Sequence, residues 1–160
     1  MDIYGPSLAQ MMKLCGGKLS LKTVLLVGLQ IIDRIETLHS TNYLYLDFKP
    51  ENFLTGLERE SPFIIMIDFG KCLPFKSSKT NQHIPFKHFT YPFDPMFSSL
   101  NSHLGIHPSR RDDIESFVYL LVYMHRGKLP WRKAEGKSKK EKENEIFELK
   151  KKITIESLIK

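Results

Sequence analysis

The apolar positions of this chain fall into a few clear patterns. From Leu21 onward, Val24, Leu25, Gly28, Ile31, Ile32, Ile35 and Leu38 lie on one face at helical spacing, behind a capping Ser20. They predict a mostly buried helix running to about His39, with His39 itself a structural or capping residue near its end. Ahead of it, Gly5-Pro6 signals a turn. Ser7 with Gln10 three residues on forms a capping-box pattern for a short helix through about Leu14, which Gly16-Gly17 ends. Thr55 to Pro62 reads as a polar turn, and Phe63 to Ile67 as a short buried strand. Ser109 to Asp112 repeats the capping box and leads into Ile114 to Met124, which is apolar almost all round and so predicts a central, buried helix. Gly127 ends that helix and Leu129-Pro130-Trp131 anchors the exit. Lys133 to Lys152 predicts a charged helix that buries Ile146, Phe147 and Leu149, and Thr154-Ile155-Glu156 opens one more. Between Gly70 and about His107 no period holds. The stretch is rich in Phe, Pro, Ser and His, and irregular segments of that length inside compact domains usually carry function.

Length fits one domain, and the elements predicted above make it mainly α. A chain of 160 residues, 41% hydrophobic, is long enough to bury a real core. No run of eighteen or more apolar residues occurs, so no membrane span is expected, and Met1 to Pro6 lacks the basic start and apolar run of a signal peptide. Cys15 and Cys72 have no metal-spaced partner, a usage that fits the cytoplasm. The net charge of +6 favours acidic or phosphorylated partners, but much of it sits in Lys133 to Lys152. There Glu135, Glu141, Glu143, Glu145 and Glu148 are interleaved with the lysines, so a solvated helix face ranks first, nuclear import second and nucleic-acid binding last. His83, His88, His103 and His107 are too scattered for a metal site and read as loop histidines.

The chemistry concentrates in two stretches. Residues 45–54 read Y-L-D-F-K-P-E-N-F-L and residues 64–70 read I-I-M-I-D-F-G. A D-x-K-x-x-N sequence followed by I-D-F-G resembles the catalytic loop and magnesium motif of a protein kinase. Phosphoryl transfer spreads negative charge over the transferring group, so catalysis is mostly positioning and charge neutralisation. In that frame Asp47 orients the acceptor hydroxyl and takes its proton, and Lys49 holds the transferring phosphate. Asn52 and Asp68 supply hard oxygen ligands to magnesium. Gly70 lets the backbone turn sharply after Asp68.

The resemblance extends along the chain. G-P-S-L at 5–8, L-S-L-K-T-V-L-L at 19–26, I-E-T-L-H-S at 35–40, Q-H-I-P-F at 82–86, L-N-S-H-L-G-I at 100–106, S-R-R-D-D-I-E-S at 109–116 and L-P-W at 129–131 are similar to the casein kinase 1 family of serine/threonine kinases. That resemblance implies a partial kinase domain over residues 1–160: a mostly helical C-lobe with a small β-ribbon carrying the catalytic loop, lacking the N-lobe and the last C-terminal helices. It implies ATP and magnesium as cofactors. Asp2 to Tyr4 would be the hinge that meets adenine, Leu54 and Ile67 the adenine floor, and Asp113 a support bonded to the catalytic-loop backbone from below.

The same resemblance marks departures. No G-x-G-x-x-G occurs in these residues. Leu46 stands where the family has an arginine. In Tyr91 to Phe97, Asp94 stands where the family has a threonine that contacts the catalytic aspartate and lysine, and Met96 where it has a phosphate-holding arginine. A carboxylate at Asp94 is expected to repel phosphate or draw Lys49 away. Two functions follow: a protein kinase of casein kinase 1 type, inactive as this chain alone, or a non-catalytic kinase-derived module in a larger assembly. In either case the partner is a protein, whether a substrate or one that covers the apolar surface including Leu54 and Ile67.

Overall fold

The computed structural model describes residues 4–57 and 62–159, without the side chains of Ile155 and Ile159. Asp2 and Ile3 of the expected hinge, and residues 58–61 of the expected polar turn, lie outside the described residues. The chain runs α1 (Leu8–Leu14), α2 (Leu21–Ser40), β1 (Tyr43–Leu44), β2 (Phe53–Thr55), β3 (Ile64–Met66), β4 (Leu73–Pro74), α3 (Leu100–His103), α4 (Arg110–Arg126), α5 (Lys139–Lys152) and α6 (Ile155–Ile159). Short 3₁₀ turns occupy Pro50–Asn52, Phe69–Lys71 and Pro130–Lys133.

The helix starts follow their caps. Ser7 Oγ accepts from Gln10 N at 3.3 Å, and Gln10 Oε1 accepts from Ser7 N at 2.8 Å, closing a capping box on α1. Ser20 Oγ accepts from Thr23 N at 3.2 Å and satisfies one orphan donor of α2. Replacing Ser20 by alanine removes that acceptor, and chemical denaturation should show a loss of about 1 kcal/mol. On α4, Asp112 reaches back to Ser109 N at 2.7 Å and takes the Ser109 hydroxyl at 3.1 Å.

Helices α2 and α4 form the long axis of the fold and run antiparallel. Leu19 N donates to Met124 O at one end, and His39 meets Asp113 at the other. Gly28 sets their separation: a Cβ there would sit 3.0 Å from Cδ2 of Leu121. At the far end of α4, Gly127 takes a positive φ of 73° and its N–H closes onto Tyr123 O at 2.7 Å. A Cβ at that glycine would lie 2.6 Å from Gly17 O, so chain path and helix stop both demand glycine.

Trp131 lies fully buried in the main core. Its ring meets Tyr119 edge-on at 4.9 Å, and its Nε1 donates to Met96 O at 2.8 Å. The last turn of the long loop and the exit from α4 are tied together there. Strands β2 and β3 pair antiparallel, Leu54 opposite Ile65, and the segment before α1 runs along the outer edge of β2 through Gly5 N to Thr55 O at 2.8 Å.

Four expectations need correction. Helix α2 is not mostly buried: Leu21, Leu25 and Leu29 are 56, 56 and 64% exposed, and Leu26 is exposed as well. Helix α4 is not buried all round either, since Ile114 and Val118 reach solvent. The core covers only one sector of each helix, and the seam between them opens outward. On α5, Ile146 is buried as expected and Phe147 half-buried, but Leu149 is exposed and Lys150, read as part of a solvated face, is buried to 2%. The cause is rotation of one residue step: Lys150 lies one helical turn beyond Ile146 on the same face. Finally, the loop between Gly70 and His107 is not wholly irregular, because β4 pairs with β1 and α3 forms one turn behind Ser99.

Candidate active site

The loop after β1 is built on one buried carboxylate. Asp113, fully buried near the start of α4, accepts from Tyr45 N at 2.8 Å and from Leu46 N at 2.9 Å. Its Oδ2 also meets Nε2 of His39 at 2.8 Å. Leu46 sits at a positive φ of 64°, a strained conformation for a non-glycine residue that these bonds over-determine. The support expected of Asp113 is therefore present, and His39 is structural.

The turn places Asp47 inward, with its carboxylate surrounded by donors. Asn52 Nδ2 donates to Asp47 Oδ2 at 2.7 Å and to Asp47 O at 2.9 Å. Lys49 Nζ donates to the same Oδ2 at 2.9 Å. Lys71 Nζ takes the other oxygen, Oδ1, at 2.5 Å. Burial alone would raise the carboxyl pKa of Asp47, but the bonds from Lys71, Lys49 and Asn52 outweigh it and hold the group below the ordinary carboxylate range. Lys49 moves the opposite way, held charged chiefly by its bond to Asp47.

Asp68 stands at the end of the stretch after β3 in a left-handed conformation, φ 61°, with its exposed side chain accepting from Gly70 N at 3.4 Å. Its position is fixed from below. Tyr45, fully buried, donates its hydroxyl to Ile67 O at 2.5 Å, and its ring meets Phe69 edge-on at 5.8 Å. Burial pushes the Tyr45 phenol above its usual pKa, so it stays a donor at all working pH values. Because Asn52 spends its nitrogen on Asp47, its carbonyl oxygen is left for another ligand. That oxygen and the open carboxylate of Asp68 are hard oxygen donors that could hold a magnesium ion.

Tyr4, Leu54 and Ile67 gather at the ribbon. Leu54 lies opposite Ile65, and Ile67 N continues the ladder to Asn52 O at 3.0 Å. By strand alternation Leu54, Ile65 and Ile67 share the outer face, while Phe53 and Ile64 fill the core beneath. All three outer side chains are half-buried. Tyr4 precedes Gly5 at the edge of β2.

Asp94 does not draw Lys49 away. Its carboxylate accepts from Met96 N at 2.9 Å, and its carbonyl takes Ser98 N at 3.0 Å, so it closes its own turn. Among the described residues the ion-pair partner of Lys49 is Asp47, not Asp94. Two residues of the site were missed by sequence reasoning. Tyr45 gave only the signal of an aromatic beside the loop. Lys71 gave a clearer one, a cation directly after the Asp-Phe-Gly turn.

A family model described as the protein kinase domain matches residues 3–159. The chain belongs to the protein kinase domain family, and its helical architecture with small antiparallel β-ribbons fits part of that fold. Kinases of this family generally use ATP and magnesium.

Proposed function

We propose that residues 1–160 form a partial kinase domain, a C-lobe of casein kinase 1 type specialised for serine/threonine substrates. The observation that carries the reading is the Asp47 cluster: one buried carboxylate, held by Asn52 and Lys49 on a loop that Asp113 supports from beneath. In this arrangement Asp47 orients the acceptor hydroxyl and Lys49 neutralises the moving phosphate. Asn52 Oδ1 and Asp68 would hold magnesium, which when bound supplies charge neutralisation on the phosphates. Leu54 and Ile67, with Tyr4 at the edge, would floor the adenine.

The chain by itself is proposed to be inactive. Both oxygens of Asp47 accept from ammonium groups, so an acceptor hydroxyl must share the carboxylate with Lys49 and Lys71. These residues also supply no glycine-rich cover for the phosphates, and closing water out is a large part of the catalysis. A thermal-shift titration with magnesium–ATP is expected to show no stabilisation at low-micromolar nucleotide. Stabilisation in that range, lost in Asp68→Ala, overturns the expectation of weak or absent nucleotide binding while supporting the assigned metal ligands.

A second reading has its own support. Leu54, Ile65 and Ile67 share the outer ribbon face, and Phe69 is exposed beside it. A protein covering this face would make the chain a non-catalytic module, with Asp47 retained as counter-ion to two lysines. Co-purification of the native protein in a stable complex that never labels a substrate would favour this reading. Residence in the cytoplasm, with the lysine-rich α5 as the feature that would admit the nucleus, belongs to the same proposal.

A further inference from the structure

The donors around Asp47 divide by origin. Lys49 and Asn52 belong to its own loop, two and five residues on, and both donate to Oδ2. Lys71 comes from a segment 24 residues away and takes Oδ1. Among the described residues no other donor reaches that oxygen. The carboxylate itself is buried, but both cations reach solvent: the Lys49 and Lys71 side chains are 29 and 34% exposed. Two ammonium groups therefore flank one negative charge, and their surplus is open to a ligand.

The turn that carries Lys71 also carries Asp68. Phe69–Lys71 is a 3₁₀ turn with Asp68 as its N-cap, so the two side chains hang from one short piece of backbone. Asp68 is exposed and has no cation partner among the described residues. Lys71, three positions on, is thus placed beside the carboxylate assigned to magnesium while its charge is spent on Asp47. A lysine is a compact charge on a flexible four-carbon stem, free to exchange one anion for another within reach. A phosphate group carries about two negative charges against one on the carboxylate, and so attracts such an ammonium more strongly.

We propose that Lys71 is a second phosphate-holding cation of this site, held on Oδ1 of Asp47 and drawn from it by the terminal phosphate of a polyphosphate ligand. Lys49 keeps Oδ2 and still has N–H donors to spare for the same phosphate. Transfer of Lys71 removes one of the two cations with which an acceptor hydroxyl shares Asp47, and it does so at the oxygen that no loop residue holds. Ligand binding and exposure of the base are thereby coupled. This inference rests on the reading of the site as one for phosphoryl transfer.

The test titrates the 160-residue chain with sodium tripolyphosphate, with and without magnesium, by calorimetry and by NMR of the lysine ammonium groups in isotope-labelled protein. Lys71→Met identifies the Lys71 signal, which tripolyphosphate should shift. The same variant should weaken binding about tenfold, while Lys71→Arg keeps it. Asp47→Asn removes the competing charge and should tighten binding, a gain that should vanish when Lys71→Met is added. A gain that survives in the double variant is a general field effect and overturns the transfer. Circular dichroism melts check each fold. Should Asp47→Asn melt early, the Lys71 signal and the Met and Arg variants at that position decide. Magnesium-dependent binding that is lost in Asp68→Ala but indifferent to Lys71→Met sinks the proposal and leaves the phosphoryl-transfer reading standing. Binding that needs Lys71 but neither Asp68 nor magnesium supports the second cation and counts against the assigned metal ligands. No binding at millimolar tripolyphosphate overturns the proposal.

Discussion

Replacing Asp113 by alanine should destabilise the domain by about 3–5 kcal/mol, measured as a lower urea midpoint at unchanged slope. Three donors converge on this one carboxylate: Tyr45 N, Leu46 N and the His39 ring. All of it lies in the interior, so removing the acceptor leaves two main-chain N–H groups buried without a partner. The damage does not stop there. Leu46 holds φ 64° only because its N–H is tied down, and relaxation of that strain would swing Asp47 away from Lys49 and Asn52. Asp113→Asn keeps the shape and one acceptor, and should cost clearly less than alanine. A stability within 1 kcal/mol of the parent for the alanine variant would mean, given the usual size of buried-pair effects, that the loop stands without this support.

The second large effect is a pH dependence centred on Lys150. Burial pushes its ammonium down to about 7, against the pull of Glu115 and Asp94 in the other direction. The groups around it are the Ser98 carbonyl, which accepts from Nζ, and the rings of Tyr119 and Trp131, 4.8 and 5.0 Å away. His103 faces it from α3 and is itself pushed down to about 4 by burial and by the lysine charge. In the unfolded chain Lys150 keeps its ordinary value of 10.5. Between about 7 and 10.5 the unfolded state therefore binds the extra proton, so stability rises with pH. The limiting slope is one proton, about 1.4 kcal/mol per pH unit. Unfolding free energy should climb by about 2 kcal/mol from pH 7 to pH 9. Cys72, raised to about 11 by burial, acts with the opposite sign above its unfolded value of 9.0, so the window below that isolates the lysine. Lys150→Met should flatten the climb. If the methionine variant shows the same slope, Lys150 is not its source.

Why Lys150 is buried was not legible in the chain. Among the six lysines of α5 nothing marks one as interior, and only packing reveals that Trp131 and Tyr119 offer aromatic faces at that turn. The exposed flanks of α2 and α4 were hidden for a related reason. Leu21, Leu25, Leu29, Ile114 and Val118 fit an apolar period whether the face meets the core or solvent, because periodicity orients a face but does not supply a neighbour for it. Asp94 stands at a family position that meets the catalytic lysine, while locally an Asp two residues before a free N–H closes its own turn.

What the amino-acid order determined by itself was local and chemical. Ser7, Ser20 and Ser109 mark helix starts because side-chain oxygens three residues from an orphan N–H need no tertiary context. The Asp47-to-Asn52 turn and the Asp68 bend are likewise written in short spacings that a loop must obey. The tertiary structure alone decided which distant groups meet them. Asp113 beneath the loop, Tyr45 under Ile67, Lys71 on the second oxygen of Asp47 and the Trp131–Lys150 contact all join residues far apart in the chain. Such contacts depend on how α2, α4 and α5 lie against one another, and that arrangement follows from side-chain volume and shape at the interfaces, which no local period encodes.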